Sequence, residues 1–273
     1  MNADPEVGSF VTAGGISTNY HEMGDGPSVM MLHGSGPGVT AWANWRLNMP
    51  DIAKTFRVIA PDIVGFGYTD RPKDMRYDLD AWSDHALSIL DALGIERAHV
   101  IGNSFGGGVA LRLATRFPDR IDRLVLMGSA GLSFPLTEGL DCVWGYTPTV
   151  ENMRRMMSYF AYDRSLINDD LIESRWRASM RQGVQDAYAA LFPEPRQRWI
   201  EALCTNEDLI RAIQMQTLII HGRDDRVVPI DCSERLHQMI GPSQLHVFGQ
   251  CGHWTQIEHR QRFNQLVVNF LSE

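Results

Sequence analysis

What this chain lacks narrows its function before any motif is read. Basic residues do not predominate: 25 Lys and Arg stand against 33 Asp and Glu, a formal charge of −8. Nucleic acid and anionic membrane surfaces reward clustered cations, so neither is expected as a partner. No apolar run approaches the ~18 residues of a spanning helix. The opening stretch "MNADPEVGSF" has no basic segment followed by an apolar one, so no secretory leader is read there and a cytoplasmic location is expected. Cysteine is sparse, at Cys142, Cys204, Cys232 and Cys251, with no C-x-x-C pair; reduced thiols are expected, not a disulfide frame. No H-E-x-x-H occurs, and His253 and His259 are not spaced i, i+4, so no metal is expected. Repeats, low-complexity tracts and flexible linkers are missing too.

What remains is an ordinary globular composition, 44% hydrophobic over 273 residues, enough for one sizeable domain or a domain with an insertion. Short apolar runs recur at residues 29–32 ("VMML"), 57–62 ("RVIAPD"), 98–102 ("AHVIG"), 123–128 ("RLVLMG"), 217–222 ("TLIIHG") and 244–249 ("QLHVFG"). They read as buried strands of a parallel sheet. Between them lie helical patterns. In "LDAWSDHALSILDALG", Trp82, Ala86, Ile89, Leu90 and Leu93 share one stripe, and Gly94 closes the helix. Strand alternating with helix predicts an α/β fold.

One interval breaks this rhythm. From Gly128 to Thr217 the chain runs far longer than a βαβ crossover of ~30 residues requires. Three segments there look helical ("VENMRRMMSYFAYD", "DDLIESRWRASMRQ", "PRQRWIEALC"), and Trp144, Trp176 and Trp199 fall within it. A helical cap inserted over the sheet's edge is expected at residues 134–212, with a core formed by 1–133 and 213–273.

Gly102-Asn103-Ser104-Phe105-Gly106 fits G-x-S-x-G, after a strand and before a helix. Glycines flanking a nucleophile on a tight turn remove Cβ atoms that would clash, and Gly107 and Gly108 would let the helix approach the sheet. The motif alone also fits a glycine-rich turn or a phosphate cradle. A serine hydroxyl needs a histidine to take its proton and a carboxylate to orient that histidine. Both follow in the order of an α/β-hydrolase: Asp225 in "LIIHGRDDRVVP", then His253 in "FGQCGHWTQIEH". Asp224 reads as a solvated acid or a cap. The loop "LHGSGPG" after the first apolar run is similar to the H-G-G loop that lends a backbone donor, so the N–H groups of Ser35 and Phe105 are the expected oxyanion hole. The loop has no P-loop lysine, which disfavours nucleotide.

The stretches "HGSGPGVTAWANWR", "APDIVGFGYTDRP", "GNSFGGG", "MGSAGLSFPLTEGLDCVWGYTP", "FPEPRQRW" and "LHVFGQCGHWTQIEH" together resemble the carbon-carbon bond hydrolases of the α/β-hydrolase superfamily that act on meta-cleavage products of aromatic degradation. The resemblance covers nearly the whole chain and is strongest to the hydrolases of 2-hydroxymuconate semialdehyde and of 2-hydroxy-6-oxo-alkyl-2,4-dienoates. It implies an α/β-hydrolase fold with a helical cap, no cofactor, a small anionic dienoate as ligand, and a homodimer or larger assembly. It also implies that Arg175 binds the substrate, with Ser35, Gly36, Asn44, Asn103, Ser165 and Trp254 at the same dienoate, and that Ala130, Trp144, Phe160, Ile200 and Val228 line the pocket. Read as residues alone, Arg175 fits a solvated helix face, Asn44 and Ser165 fit helix caps, and Phe160 fits core. Because Trp144 consumes volume, hydrogen or small alkyl is expected at C6 of the substrate, not phenyl. Two rivals share the triad: a carboxylesterase, and a small-molecule receptor that hydrolyses slowly. Dehalogenases and epoxide hydrolases of this fold use an aspartate where this chain has Ser104.

Overall fold

The computed structural model describes residues 4–273. Eight strands form one sheet: β1 (Ser9–Ala13), β2 (Ile16–Met23), β3 (Ser28–Leu32), β4 (Arg57–Pro61), β5 (Ala98–Asn103), β6 (Ile121–Met127), β7 (Thr217–Gly222) and β8 (Ser243–Phe248), in the order β1-β2-β4-β3-β5-β6-β7-β8. Strands β3 to β8 are parallel, and β2 runs antiparallel to both β1 and β4. The six apolar runs correspond to β3 through β8.

The runs of β3 to β7 are apolar with little alternation because both faces of the sheet are covered there, whereas β8, at the edge, is half-exposed. Met30, Leu32, Val100, Leu124 and Leu126 pack into one core layer with the helices Leu79–Ala92 and Phe105–Arg116. Their sequence neighbours Val29, Met31, Ile101, Val125 and Met127 pack into the other, against Trp45, Met49, Ile52, Phe263 and Val267. The helix read over 79–94 spans Leu79–Ala92; Asp78 caps it by accepting from Ala81 N–H at 3.0 Å, and Gly94 follows with φ +68°. Trp82, Ala86, Ile89 and Leu90 are buried, whereas Leu93 lies at the rim.

The edge hairpin β1–β2 has no apolar run to announce it, because most of its side chains are exposed or half-buried. Its signal was the turn: Gly14 and Gly15 both have positive φ, as a two-residue hairpin loop requires.

Between β6 and β7 the chain forms the helices Glu138–Trp144, Val150–Phe160, Asp169–Ser179, Val184–Leu191, Gln197–Ala202 and Glu207–Arg211, where three segments were anticipated. Thr137, Thr149 and Asn168 cap the first three. The last packs against Phe105–Arg116 and against Ile230–Met239. Among the described residues, no helix is long and apolar enough to cross a membrane.

Candidate active site

β5 ends at Asn103 and a helix begins at Phe105, so Ser104 alone turns the chain, at φ 54° and ψ −117°. A side chain pays steric strain there, and the surroundings must over-determine it. They do: Ser104 N–H donates to Met127 O at 2.8 Å, and its carbonyl accepts from Gly107, Gly108 and Ala130 N–H at 2.9, 3.2 and 3.0 Å. Its hydroxyl does not cap the helix it precedes. Flanking glycine is required by contact. A Cβ on Gly102 would sit 2.4 Å from Gly106 O, and one on Gly106 would sit 2.4 Å from His33 O. Gly107 meets Ser129 Oγ at 2.3 Å, but Gly108 would meet only ordinary contact, so close helix packing rests on the first of that pair.

His253 stands in the loop after β8, 3% exposed, and its Nδ1 lies 2.6 Å from Asp225 Oδ2. Asp225 follows β7. Its other oxygen accepts from Val227 and Val228 N–H at 2.7 and 3.0 Å. Burial pushes this carboxyl up, but His253, its hydrogen bond, His221 and the Val227 N–H together hold it below the ordinary value. His221 is buried, which lowers its pKa; Nε2 lies 3.1 Å from Val228 O and 3.4 Å from Asp225, so it carries the proton, and Nδ1 accepts from Ser233. Asp224 does a different job: it accepts from Cys251 N–H at 3.3 Å and donates its own N–H to Cys251 O, lacing β7's loop to the histidine's loop. Ser104 and His253 line one cavity, with Asp225 behind the imidazole.

The loop after β3 is set by His33, fully buried, whose pKa burial lowers to about 4. Neutral, it donates from Nδ1 to Gly34 O at 2.8 Å and accepts Ile63 N–H at Nε2. Nearby, Asp62 gathers N–H groups from Ala41, Tyr68 and Asn19; burial dominates even so and raises it to about 6. Ser35 Oγ accepts from Trp144 Nε1 at 3.1 Å, tying this loop to the inserted helices. Phe105 N–H, first in its helix, has no intrahelical acceptor.

Ser104 and Ser35 stand where two compartments meet. The wider has a volume of about 370 Å³ and is reached by Gly36, Asn44, Asn103, Phe160, Arg175, His253 and Trp254. The other, about 10 Å³, is enclosed by Phe105, Ala130, Trp144, Ile200 and Val228 with four further apolar side chains. In the wider one, Asn44 Nδ2 and Arg175 Nη1 are buried donors with no partner in the protein. Unpaired buried donors are costly, which suits a site built for an acceptor-rich ligand.

One expected contact is not brought in. Ser165 is exposed: Asp163 accepts its N–H and starts a short 3-10 turn, Arg164–Leu166, that sends Leu166 and the following Asn168 to the cavity instead. Several lining residues went unread in the sequence. Met153, Met156 and Met157 precede Phe160 at helical spacing, a stripe that was visible, whereas Arg46 and Gln256 carried no signal. Phe160 stacks on Trp254 at 5.0 Å and on His253 at 5.9 Å, so the inserted helices rest on the histidine. Glu258 fastens the same junction, accepting from Tyr162 and Asp163 N–H on one side and from Gly252 N–H on the other. No group of three His, Cys, Asp or Glu among the described residues is arranged to hold a metal.

Residues 27–170 and 154–260 match the family described as alpha/beta hydrolase fold. The chain is 59% identical to a 2-hydroxymuconate semialdehyde hydrolase of Pseudomonas sp. strain CF600, over 100% of this chain and 98% of that protein. It is 57% identical to a 2-hydroxy-6-oxo-2,4-heptadienoate hydrolase of Pseudomonas putida, over 99% and 98%. Among solved structures, a serine-to-alanine variant of the meta-cleavage product hydrolase CumD from Pseudomonas fluorescens IP01, complexed with acetates, superposes with a TM-score of 0.98 at 55% identity, covering 98% of this chain and 99% of that one. By fold, by full-length identity and by superposition, this chain belongs to the α/β-hydrolase fold family, within its group of meta-cleavage product hydrolases.

Proposed function

We propose that the enzyme hydrolyses the C5–C6 bond of 2-hydroxy-6-oxo-2,4-dienoates carrying hydrogen or a small alkyl group at C6, giving 2-hydroxypenta-2,4-dienoate and a carboxylic acid. One observation carries this reading: Ser104 sits at the join between a roomy compartment armed with unpartnered donors and an apolar one with room for about one water-sized group. The first suits the dienoate's carboxylate and C2 oxygen, the second a small C6 substituent.

Arg175 and Asn44 bind the anionic end, beside Asn103 and Trp254. Negative charge gathers on the C2 oxygen as the enol loses its proton, and a guanidinium nearby favours ketonisation at C5. The C5–C6 bond then breaks toward that ketone. Asp225 holds His253 with Nδ1 protonated, leaving Nε2 to accept a proton from Ser104 or from water. In one route Ser104 adds to C6 and an acyl-enzyme is hydrolysed; in the other His253 activates water and Ser104 stabilises a gem-diol. Rapid-quench mass measurement of an adduct on Ser104 separates them. The N–H groups of Ser35 and Phe105 receive the oxyanion in either. Residues 134–212 act as the lid over a core of 1–133 and 213–273, the first three residues lying outside those described. A cytoplasmic location and a homodimer or larger assembly belong to the same reading, the latter checked by light scattering.

Loss of the dienoate's visible absorbance tests the proposal with hydrogen, methyl and phenyl at C6. The expected kcat/KM favours the first two over phenyl by ~10²-fold. A preference for phenyl overturns the small-substituent assignment. Faster turnover of a simple nitrophenyl ester favours the esterase, and single turnovers with a ligand-dependent protein partner favour the receptor.

A further inference from the structure

Glu6 precedes β1 and is nearly sealed from solvent, 8% exposed. The sheet edge pins its backbone: Asn19 Nδ2 and His21 Nε2, both on β2, donate to its carbonyl at 3.1 and 3.2 Å, and its N–H donates to the Asp4 carboxylate at 2.9 Å. Its side chain reaches across to the inserted helices. One oxygen accepts Arg175 Nη2; the other lies 3.4 Å from Arg181 Nη1. Arg175 is therefore held by one terminal nitrogen, while the other, Nη1, is buried without a partner, and the residue lines the wide compartment.

The surroundings explain why such a hold is needed. Arg175 also lines a second cavity, about 520 Å³, together with Arg46, Arg177, Arg181, Asp4 and Glu6. Four guanidinium groups share that wall with two carboxylates. Without Glu6, Arg175 would face like charge on several sides and open volume beside it. A carboxylate whose two oxygens are engaged by Arg175 and Arg181 is itself held in place, and its charge-assisted contact with Nη2 fixes where that end of the Arg175 guanidinium lies.

We propose that Glu6 is a positioning residue for substrate binding: anchored on β2, it holds Arg175 by Nη2 in the wall between the two cavities, so that Nη1 is left to meet the substrate in the catalytic compartment. This rests on the reading of Arg175 as the dienoate's carboxylate ligand. A double-mutant cycle tests both and separates them, with kcat and KM measured for Glu6→Gln and Glu6→Ala, each with Arg175 and with Arg175→Ala. Glu6→Ala is expected to raise KM for the dienoate by ~10- to 100-fold with a smaller fall in kcat, and Glu6→Gln, which keeps an acceptor, to lie between. In the Arg175→Ala background either change is expected to add nothing. Equal factors in both backgrounds show Glu6 to be merely structural and overturn the proposal. Native kinetics in Arg175→Ala alone overturn the reading beneath it. Should Glu6→Ala fail to fold, the Glu6→Gln arm carries the same cycle.

Discussion

The two compartments either side of Ser104 work by different physics. The wider is about 370 Å³ and offers charge and hydrogen-bond donors left unpaired; the narrower is about 10 Å³ and offers almost nothing but shape. A polar site rejects a wrong ligand by leaving its own groups unsatisfied, whereas an apolar one rejects by volume, and the first penalty is usually the larger per group. On the proposed function, the serine stands where recognition by charge hands over to selection by size.

Removing the joint itself has the largest expected effect. Ser104→Ala should lower cleavage by at least ~10³-fold while the first spectral change, ketonisation, persists. Stopped-flow absorbance resolves the two phases. Arg175→Ala should slow both phases, by ~10²-fold overall. If it spared the first phase and slowed only the second, the wide compartment would not be the seat of ketonisation.

Ile200→Ala enlarges the narrow compartment without touching the donors of the wide one. We expect kcat/KM for a phenyl substituent to rise ~10-fold relative to methyl. Deleting these buried carbons should cost about 2–5 kcal/mol of stability, read by urea unfolding. An unchanged ratio would mean that volume there does not select.

Acid acts more gently, and on both compartments, since His33 supports the loop between them. His33 and the buried His85 are each lowered to about 4 by burial. As pH falls from ~6.5, the unfolded chain takes up protons that the folded chain refuses, so these two histidines contribute full stability above that pH and lose it down to about 4. Asp62, raised to about 6, opposes them, because the folded chain binds its proton first. These three groups by themselves net to one histidine's worth, about 3 kcal/mol lost between pH 7 and pH 4, and His21, His99, His221 and His246, also lowered by burial, act in the same direction. Below that, Asp225, held low beside His253, is protonated and adds a further loss. Urea midpoints across this range check the slope, and a flat profile above pH 5 would contradict it.

Much of this architecture was legible because burial on both faces leaves an unbroken apolar run, as in β3 and β7, and because G-x-S-x-G, an acid and a histidine came in a fixed order. The hairpin β1–β2 was not, since half-exposed strands dilute the same signal. Ser165 illustrates a second limit. Within a 3-10 turn, one residue of offset decides which side chain faces inward, and Leu166 took that place. Glu6 illustrates a third: its contact with Arg175 spans 169 positions, and no local pattern encodes it.

Glu258 ties together two things usually discussed apart. A single carboxylate receives the N–H groups of Tyr162 and Asp163 from the inserted segment and of Gly252, the residue directly before His253. One side chain therefore fixes the inserted helices and the backbone of the imidazole's loop to the same point, so the position of one is set by the position of the other.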